Sequence, residues 1–427
     1  MSDPPAQPEQ RPSLLTTLTS VWTLLFGIGL LMMANGLQGS LLGIRAETEA
    51  FDASVIGLIM AGFFAGILTG SAWTPKAVGL VGHVRVFAAM SAIASVAILL
   101  HALFVQEVVW WAMRFITGFC YAGILVVAES WLNERAPQET RGQLLGLYLA
   151  VTFAGMGAGQ LLLNLASVQA ADLFMLVSVL ISVAVVPLLL HATPLPVADT
   201  GRRVSLRRLA EASPLGVVGG FVAGIANGTI FGMGAVYARS AGFSVADTAL
   251  FMALLILGAA ILQWPIGKLS DVIDRRKVIT GVTVAAAVAC IFAAGISDVE
   301  SVATAGLIAL TGGLSLSIHS LSLAYTNDYL ETDEMVGASS GLVLILGVGS
   351  VVGPIVVGIV LGLMGASGFF LWLAFSHLVL AGFALWRMTR RDAKPLADQS
   401  AYVPAPLQGT EISTAVAEEV AQQGDED

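Results

Sequence analysis

Charge and cysteine are the scarce materials of this sequence. Of 427 residues, 11% are charged and 56% hydrophobic, with a mean hydropathy of +0.85. A soluble domain carries about one quarter charged residues, so a water-soluble enzyme or binding module is excluded. The two cysteines, Cys120 and Cys290, fall in apolar stretches and read as buried hydrophobes rather than a disulfide or a metal pair. Five histidines (His83, His101, His191, His319, His377) are dispersed over five segments without metal-ligand spacing. No Gly-x-x-x-x-Gly-Lys-Ser/Thr loop occurs, which disfavours hydrolysis-driven transport within one chain. No cofactor, metal or nucleic-acid partner is expected, and an enzyme is disfavoured.

What abounds is apolar sequence in blocks of membrane-spanning length. Runs of roughly 20 residues recur from Leu18 to Trp386, each long enough to cross a hydrocarbon core. They lack period-two alternation, which selects helices over a barrel. Helices are expected at 18–42, 54–75, 84–105, 109–131, 142–166, 171–191, 214–238, 246–267, 278–296, 302–326, 337–361 and 367–388. The fold class is therefore an all-α membrane protein of twelve transmembrane helices. Bundles of six occupy 18–191 and 214–388, with a cytoplasmic linker at 192–213. The polar stretches 1–17 and 389–427 are expected to be disordered tails. Seven acids follow Lys394 (Asp398, Glu411, Glu418, Glu419, Asp425, Glu426, Asp427), so the net charge of −9 is no sign of a basic partner.

Loop charges give a direction. With both termini cytoplasmic, 17 of the 20 Lys and Arg fall on that side, Arg45 and Arg239 on the other, and Arg114 within a span. The turn holding Asp328, Glu331, Asp333 and Glu334 dissents because it has no basic residue, but acids weigh little in orientation.

The halves also repeat. At a shift of 192 positions, Ala34-Asn35-Gly36 meets Ala226-Asn227-Gly228, Phe51 meets Phe243 and Gly66 meets Gly258. Arg85-Val86 meets Lys277-Val278, and Gly155 and Gly157 meet Gly347 and Gly349. Parallel six-helix repeats place a solute site between the halves near mid-membrane.

The strongest local motif is Gly267-Lys-Leu-Ser-Asp271-Val-Ile-Asp274-Arg275-Arg276-Lys277, between the eighth and ninth spans. It resembles the Gly-x-x-x-Asp-Arg-x-Gly-Arg-Arg turn of the major facilitator superfamily, matching at Gly267, Asp271, Arg275 and Arg276 and departing at Val272 and Asp274. Its first-half copy is reduced to Gly82-His83-Val84-Arg85, with Gly79 where the acid would stand. The resemblance implies a gating role in which Asp271 faces the start of a helix in the other half, where helix dipole and free N–H groups favour negative charge. The plain alternative is a charged turn that only fixes topology.

Arg114-Phe-Ile-Thr-Gly118-Phe-Cys-Tyr-Ala122 similarly resembles the superfamily pattern of an intramembrane Arg followed by small residues. Glu129-Ser130-Trp131-Leu132-Asn133 and Gly82-His83-Val84-Arg85-Val86-Phe87 add a likeness to the YcaD-like bacterial group, whose substrates the resemblance leaves unassigned. Gly349-Ser-Val-Val-Gly353-Pro354 resembles an antiporter signature, but it sits in the eleventh span, and the fifth has glycines without the proline. That departure weakens a reading as a drug/proton antiporter.

Arg114 is the leading candidate to bind solute or bias a proton site, with Thr117 and Tyr121 on its face. Its bland alternative is snorkelling to the outer interface. Glu129 is a candidate proton carrier, though a structural contact with Arg85 or Arg141 is weighed slightly above that role. It lies 15 residues beyond Arg114, roughly 22 Å along a helix at ~1.5 Å per residue, so the two do not pair. Asn35, Gln38, Gln160, Asn164, Asn227 and His319 complete the candidate lining; each alone reads more simply as interhelical glue.

A secondary transporter of a small organic solute follows, working by alternating access, with proton-coupled efflux as the leading mode. It is expected to be a multi-pass monomer of the bacterial inner membrane. An uptake symporter and a transporter-like sensor without flux stay open, because fold alone does not settle function.

Overall fold

The computed structural model describes residues 14–135, 140–191, 205–296, 299, 301–406, 408 and 410–423. The first-half helices are α1 (Leu14–Thr48), α2 (Ala53–Val81), α3 (His83–Leu103), α4 (Glu107–Glu134), α5 (Arg141–Leu161) and α6 (Asp172–His191). A short α7 (Leu206–Ala212) precedes α8 (Pro214–Ser240), α9 (Val245–Val272), α10 (Arg275–Ala293), α11 (Val302–Asn327), α12 (Thr332–Met364) and α13 (Gly368–Met388), and α14 (Glu411–Gln423) lies in the tail. Among the described residues, eleven helices are long and apolar enough to cross a membrane, and α6 adds a shorter apolar stretch, Asp172–Pro187. Local chemistry sets several starts. Ser244 and Asp247 form a reciprocal capping box on α9, and the Asp274 carboxylate accepts from Arg276 N at the start of α10.

Each half follows one packing plan. In the first, α1 packs on α5 and α6, α2 on α4, and α3 on α4 and α6; in the second, α8 packs on α12 and α13, α9 on α11, and α10 on α11 and α13. Glycines set these crossings, because an added Cβ would overlap the facing backbone. At Gly118 it would lie 1.9 Å from Phe63 O, and at Gly312 it would lie 2.3 Å from Leu255 O. Gly155 and Gly349 likewise face Gly29 O and Phe221 O, while Gly159 and Gly353 face Met33 O and Ile225 O.

These pairs correct the register of the repeat. The carbonyl partners (29 and 221, 33 and 225, 63 and 255) differ by 192, but the glycines opposite them (118 and 312, 155 and 349, 159 and 353) differ by 194. Gly155 therefore corresponds to Gly349, not Gly347. The slip enters where the second half has the longer link, between Ala293 and Val302 against Leu103 and Glu107.

The halves meet through α2 with α12, α5 with α9, and α1 with α8. At the end away from the α9–α10 turn the fit is close: a Cβ on Gly57 would lie 2.3 Å from Pro354 O, and one on Gly358 would lie 2.6 Å from Ala53 O. Arg239 approaches Glu47 across the same end at 3.8 Å.

Three boundaries depart from expectation. Helix α1 begins at Leu14, so residues 14–17 are helical; residues 1–13, including Arg11, lie outside the described residues. Residues 192–204, with Arg202 and Arg203, also lie outside them, but the rest of the linker folds as α7, capped by Ser205. Arg208 of α7 grips Glu334 with two bonds of 3.0 and 3.1 Å, and Arg275 of α10 pairs with Asp328, so the acidic turn is matched by arginines from other elements. The largest correction concerns the C-terminal tail. It was expected to be disordered, yet it runs on from α13 through a 3-10 turn (Leu396–Asp398) to α14, which packs on α4, α5 and α12. Residues 424–427 lie outside the described residues.

Candidate functional site

Arg114 sits on α4 at 2% exposure, its guanidinium 4.3 Å from the centroid of the Phe63 ring. It lines a cavity of about 20 Å³ with Asn35, Ser40, Gln160 and Gln408, closed on the second-half side by Phe231 and Met252. That placement excludes snorkelling. Nε and Nη1 of Arg114 have no hydrogen-bond partner among the described residues. A desolvated cation in this condition is costly unless something anionic or strongly accepting meets it. A planar guanidinium fork is suited to a carboxylate or phosphate.

The other polar candidates separate into those that reach this cavity and those that do not. Asn35 Nδ2 donates to Gln408 Oε1 at 2.6 Å. Gln160 donates to Gly36 O at 3.0 Å and accepts from Ser40 Oγ at 2.5 Å, which holds its carboxamide across α1. Tyr121 is buried and its hydroxyl donates to Leu31 O at 3.4 Å. Gln38 is fully buried one helical turn beyond Asn35, and neither of its amide atoms has a partner among the described residues. Asn227 donates to Ser350 Oγ at 3.3 Å and joins α8 to α12, the glue role. His319 is buried on α11 beside Ser320. Asn164 does not belong to the site: α5 gives way to a 3-10 turn at Leu162–Leu165, leaving Asn164 exposed and bonded to Leu161 O.

Among the described residues, Glu129, 3% exposed, forms no ion pair with Arg85 or Arg141, the partners its structural reading expected. Arg85 is exposed, and Arg141 pairs with Glu419 at 2.5 Å. Instead, Tyr148 Oη donates to Glu129 Oε1 at 2.5 Å, and Oε2 accepts from Thr410 Oγ1 (2.5 Å), Thr410 N (3.3 Å) and Ser413 N (3.2 Å). The carboxylate thus sits on the N-terminus of α14, where free N–H groups and the helix dipole favour negative charge.

The gating motif is gathered in one place, but on the tail. Arg275 donates to Asp328 Oδ1 (2.6 Å), Asp271 Oδ1 (3.1 Å), Ala324 O (2.9 Å) and Ser400 O (2.8 Å). Asp328 also accepts from Ser400 N and Oγ, both at 3.0 Å, and Asp271 from Tyr402 N at 2.9 Å. Burial pushes the Asp328 carboxyl up, against the opposing pull of the Arg275 charge and the Ser400 bonds. Arg276 chelates Asp274 and donates to Arg391 O at 2.7 Å. Gly267 faces the Tyr402 ring, which a Cβ would approach to 2.1 Å. Among the described residues, Asp271 meets its own half's Arg275 and a tail N–H; the start of a helix in the other half was the expected neighbour.

A family model described as the Major Facilitator Superfamily matches residues 24–215 and again 216–416, one copy per half. The chain belongs to the major facilitator superfamily. An uncharacterized MFS-type transporter YcaD of Escherichia coli is 28% identical over 337 residues, covering 78% of this chain and 87% of the relative. Among solved structures, the nucleoside transporter NupG is similar at a TM-score of 0.66 and 16% identity, covering 87% of this chain and 99% of that one. A bacterial homologue of the human lysosomal transporter Spinster, inward-facing and unoccupied, gives 0.69 at 14% identity, with 97% and 99% covered. As a superfamily member the chain is a membrane transporter.

Sequence reasoning missed Ser40, Tyr148, Asp328, Ser320 and every tail residue at the site. Ile412, Val416 and Val420, spaced by four, were the available sign that 411–423 has an apolar helical stripe.

Proposed function

We propose that this superfamily member is a secondary active transporter of a small organic solute carrying an anionic or strongly hydrogen-bond-accepting group, moved by rocking of the two halves. The observation that carries this reading is Arg114, buried in a cavity between the halves with two guanidinium nitrogens free of partners among the described residues. Asn35 and Gln160 supply neutral hydrogen bonding in the same cavity, and the buried Gln38, Tyr121, Asn227 and His319 complete the lining in this scheme. Glu129 is the proton carrier in this scheme, a buried carboxylate on the same helix as Arg114. Gly267, Asp271, Arg275 and Arg276 form the gate at the end of the molecule that faces the cytoplasm of a bacterial inner membrane. Efflux is the favoured direction. An apolar groove of about 630 Å³ between α5 and α9, lined by Leu149, Phe153, Leu257 and Trp264, suits an amphipathic solute arriving from the lipid.

The test begins with a thermal-shift panel of nucleosides and amphipathic anions, since a bound ligand raises stability by mass action. Hits are then assayed for flux in vesicles under an imposed proton gradient. Binding without flux in any direction would turn the reading to a solute sensor, which the seated tail also suits.

A further inference from the structure

We propose that the tail described at 396–406, 408 and 410–423 is a tethered occupant of the solute cavity, one that holds the carrier shut until it is displaced; this rests on the transport reading above. The tail's course follows the path a solute would take. It leaves α13 and is held at Ser400 by Asp328 and Arg275, then at Tyr402 N by Asp271. Deeper in, Ala405 N donates to Ser320 Oγ at 3.0 Å and Ala405 O accepts from Gln263 at 3.2 Å. Gln408 reaches Asn35 in the wall that carries Arg114. The chain then turns back as α14, with Glu129 on its N-terminus and Glu419 on Arg141.

The seat is built for this segment. Gly267 leaves room for the Tyr402 ring, and Ala405 and Glu418 are fully buried. With Gln408 in place the cavity retains about 20 Å³, room for about one water. Tail and organic solute therefore exclude each other. The tail's partners also belong to both halves: Asp271, Asp328, Ser320 and Gln263 to the second, Asn35, Glu129 and Arg141 to the first. A segment bonded to both sides opposes their rocking as well as filling the space between them. Being tethered, it competes at an effective concentration on the order of millimolar, so a weak solute does not displace it unaided. Most of the grip is on main-chain N–H and C=O groups and one carboxamide, which is the chemistry of an extended peptide.

The experiment places Asn35→Cys in a chain with Cys120→Ala and Cys290→Ala, reconstituted in nanodiscs, and follows N-ethylmaleimide labelling. Three chains are compared: full length, ending at Pro395, and full length with Ala405→Trp, which cannot seat the tail. Truncation and Ala405→Trp are expected to raise the labelling rate about ten-fold or more, and a synthetic peptide of residues 396–423 to restore protection of the truncated chain. Equal rates in the full-length and Ala405→Trp chains, both monodisperse with normal unfolding temperatures, would overturn the proposal. So would a full-length chain that carries solute as fast as the truncated one. Labelling as expected with no flux of any solute from the truncated chain would instead overturn the transport reading, leaving the tail's occupancy of the cavity standing.

Discussion

Arg114 in the first half and Ile308 in the second occupy equivalent places once the 194-residue register of α4 and α11 is applied, and Glu129 and Leu323 do the same. All four are buried. At the α9–α10 turn the contrast runs the other way: Asp271 and Arg275 of the second half stand where the first has Gly79 and His83, at a shift of 192. The helix frame is shared and the polar chemistry is divided. The first half keeps a buried charge at Arg114 and Glu129, and the second keeps the Asp271–Arg275–Asp328 cluster, while both halves hold the tail. Glycine crossings maintain the frame, so the residues between them are free to diverge without changing how the helices cross.

The comparison is broken most severely at Arg114. Arg114→Ala, in the chain ending at Pro395, is expected to lower solute flux by about 100-fold or more, the size seen when one partner of a buried charged contact is removed. Its unfolding temperature should fall less than the cavity alone would require, since removing a buried cation with Nε and Nη1 unpartnered among the described residues offsets the lost packing on Phe63. Ile308→Ala reverses the pattern, costing about 2–5 kcal/mol of stability as a cavity mutation while sparing flux per folded molecule. Flux readings on both variants, with unfolding in detergent, decide this.

The shared frame is tested by Gly118→Ala and Gly312→Ala. Each forces a Cβ into a facing carbonyl, and each should cost about 1–3 kcal/mol in unfolding measurements. A large loss at one and none at the other would break the equivalence of the halves. Glu129→Gln removes the charge facing the N-terminus of α14, and should raise Asn35→Cys labelling in the full-length chain about ten-fold, the worth of one charge-assisted bond.

The smallest effect belongs to the turn. Burial pushes the Asp274 carboxyl up, but hydrogen bonds and charge from Arg276 outweigh it and hold the group below its usual 3.8. A depressed carboxyl stabilises the fold above its unfolded value and loses that contribution as pH falls through the folded value. The start of α10 should therefore exchange amide hydrogens faster below about pH 4 than at pH 6, after correction for intrinsic exchange, and Asp274→Asn should flatten that difference.

Hydropathy and periodicity made the helices, the two halves and the motif legible, because a bilayer demands long apolar runs and a duplicated frame leaves an offset. The two-residue slip was hidden because Gly155, Gly157 and Gly159 offer several matches, and only the carbonyls that Gly155 and Gly159 meet, with open space beside Gly157, decide among them. The tail was hidden for another reason. Its grip is mainly through Tyr402 N, Ala405 N, Ser413 N and similar main-chain groups, which leave no side-chain signature. Its acids made it look like a solvated end, yet Glu418 is fully buried and Glu419 is paired.

The most direct measurement is a short bifunctional thiol cross-link between Asn35→Cys and Gln408→Cys, formed in native membranes with Cys120 and Cys290 replaced. The tail seated between the halves predicts a rapid intramolecular cross-link, slowed by Ala405→Trp and by the solute once it is known. No cross-link, in a chain whose paired cysteines at Arg141 and Glu419 are also left unjoined, would contradict it.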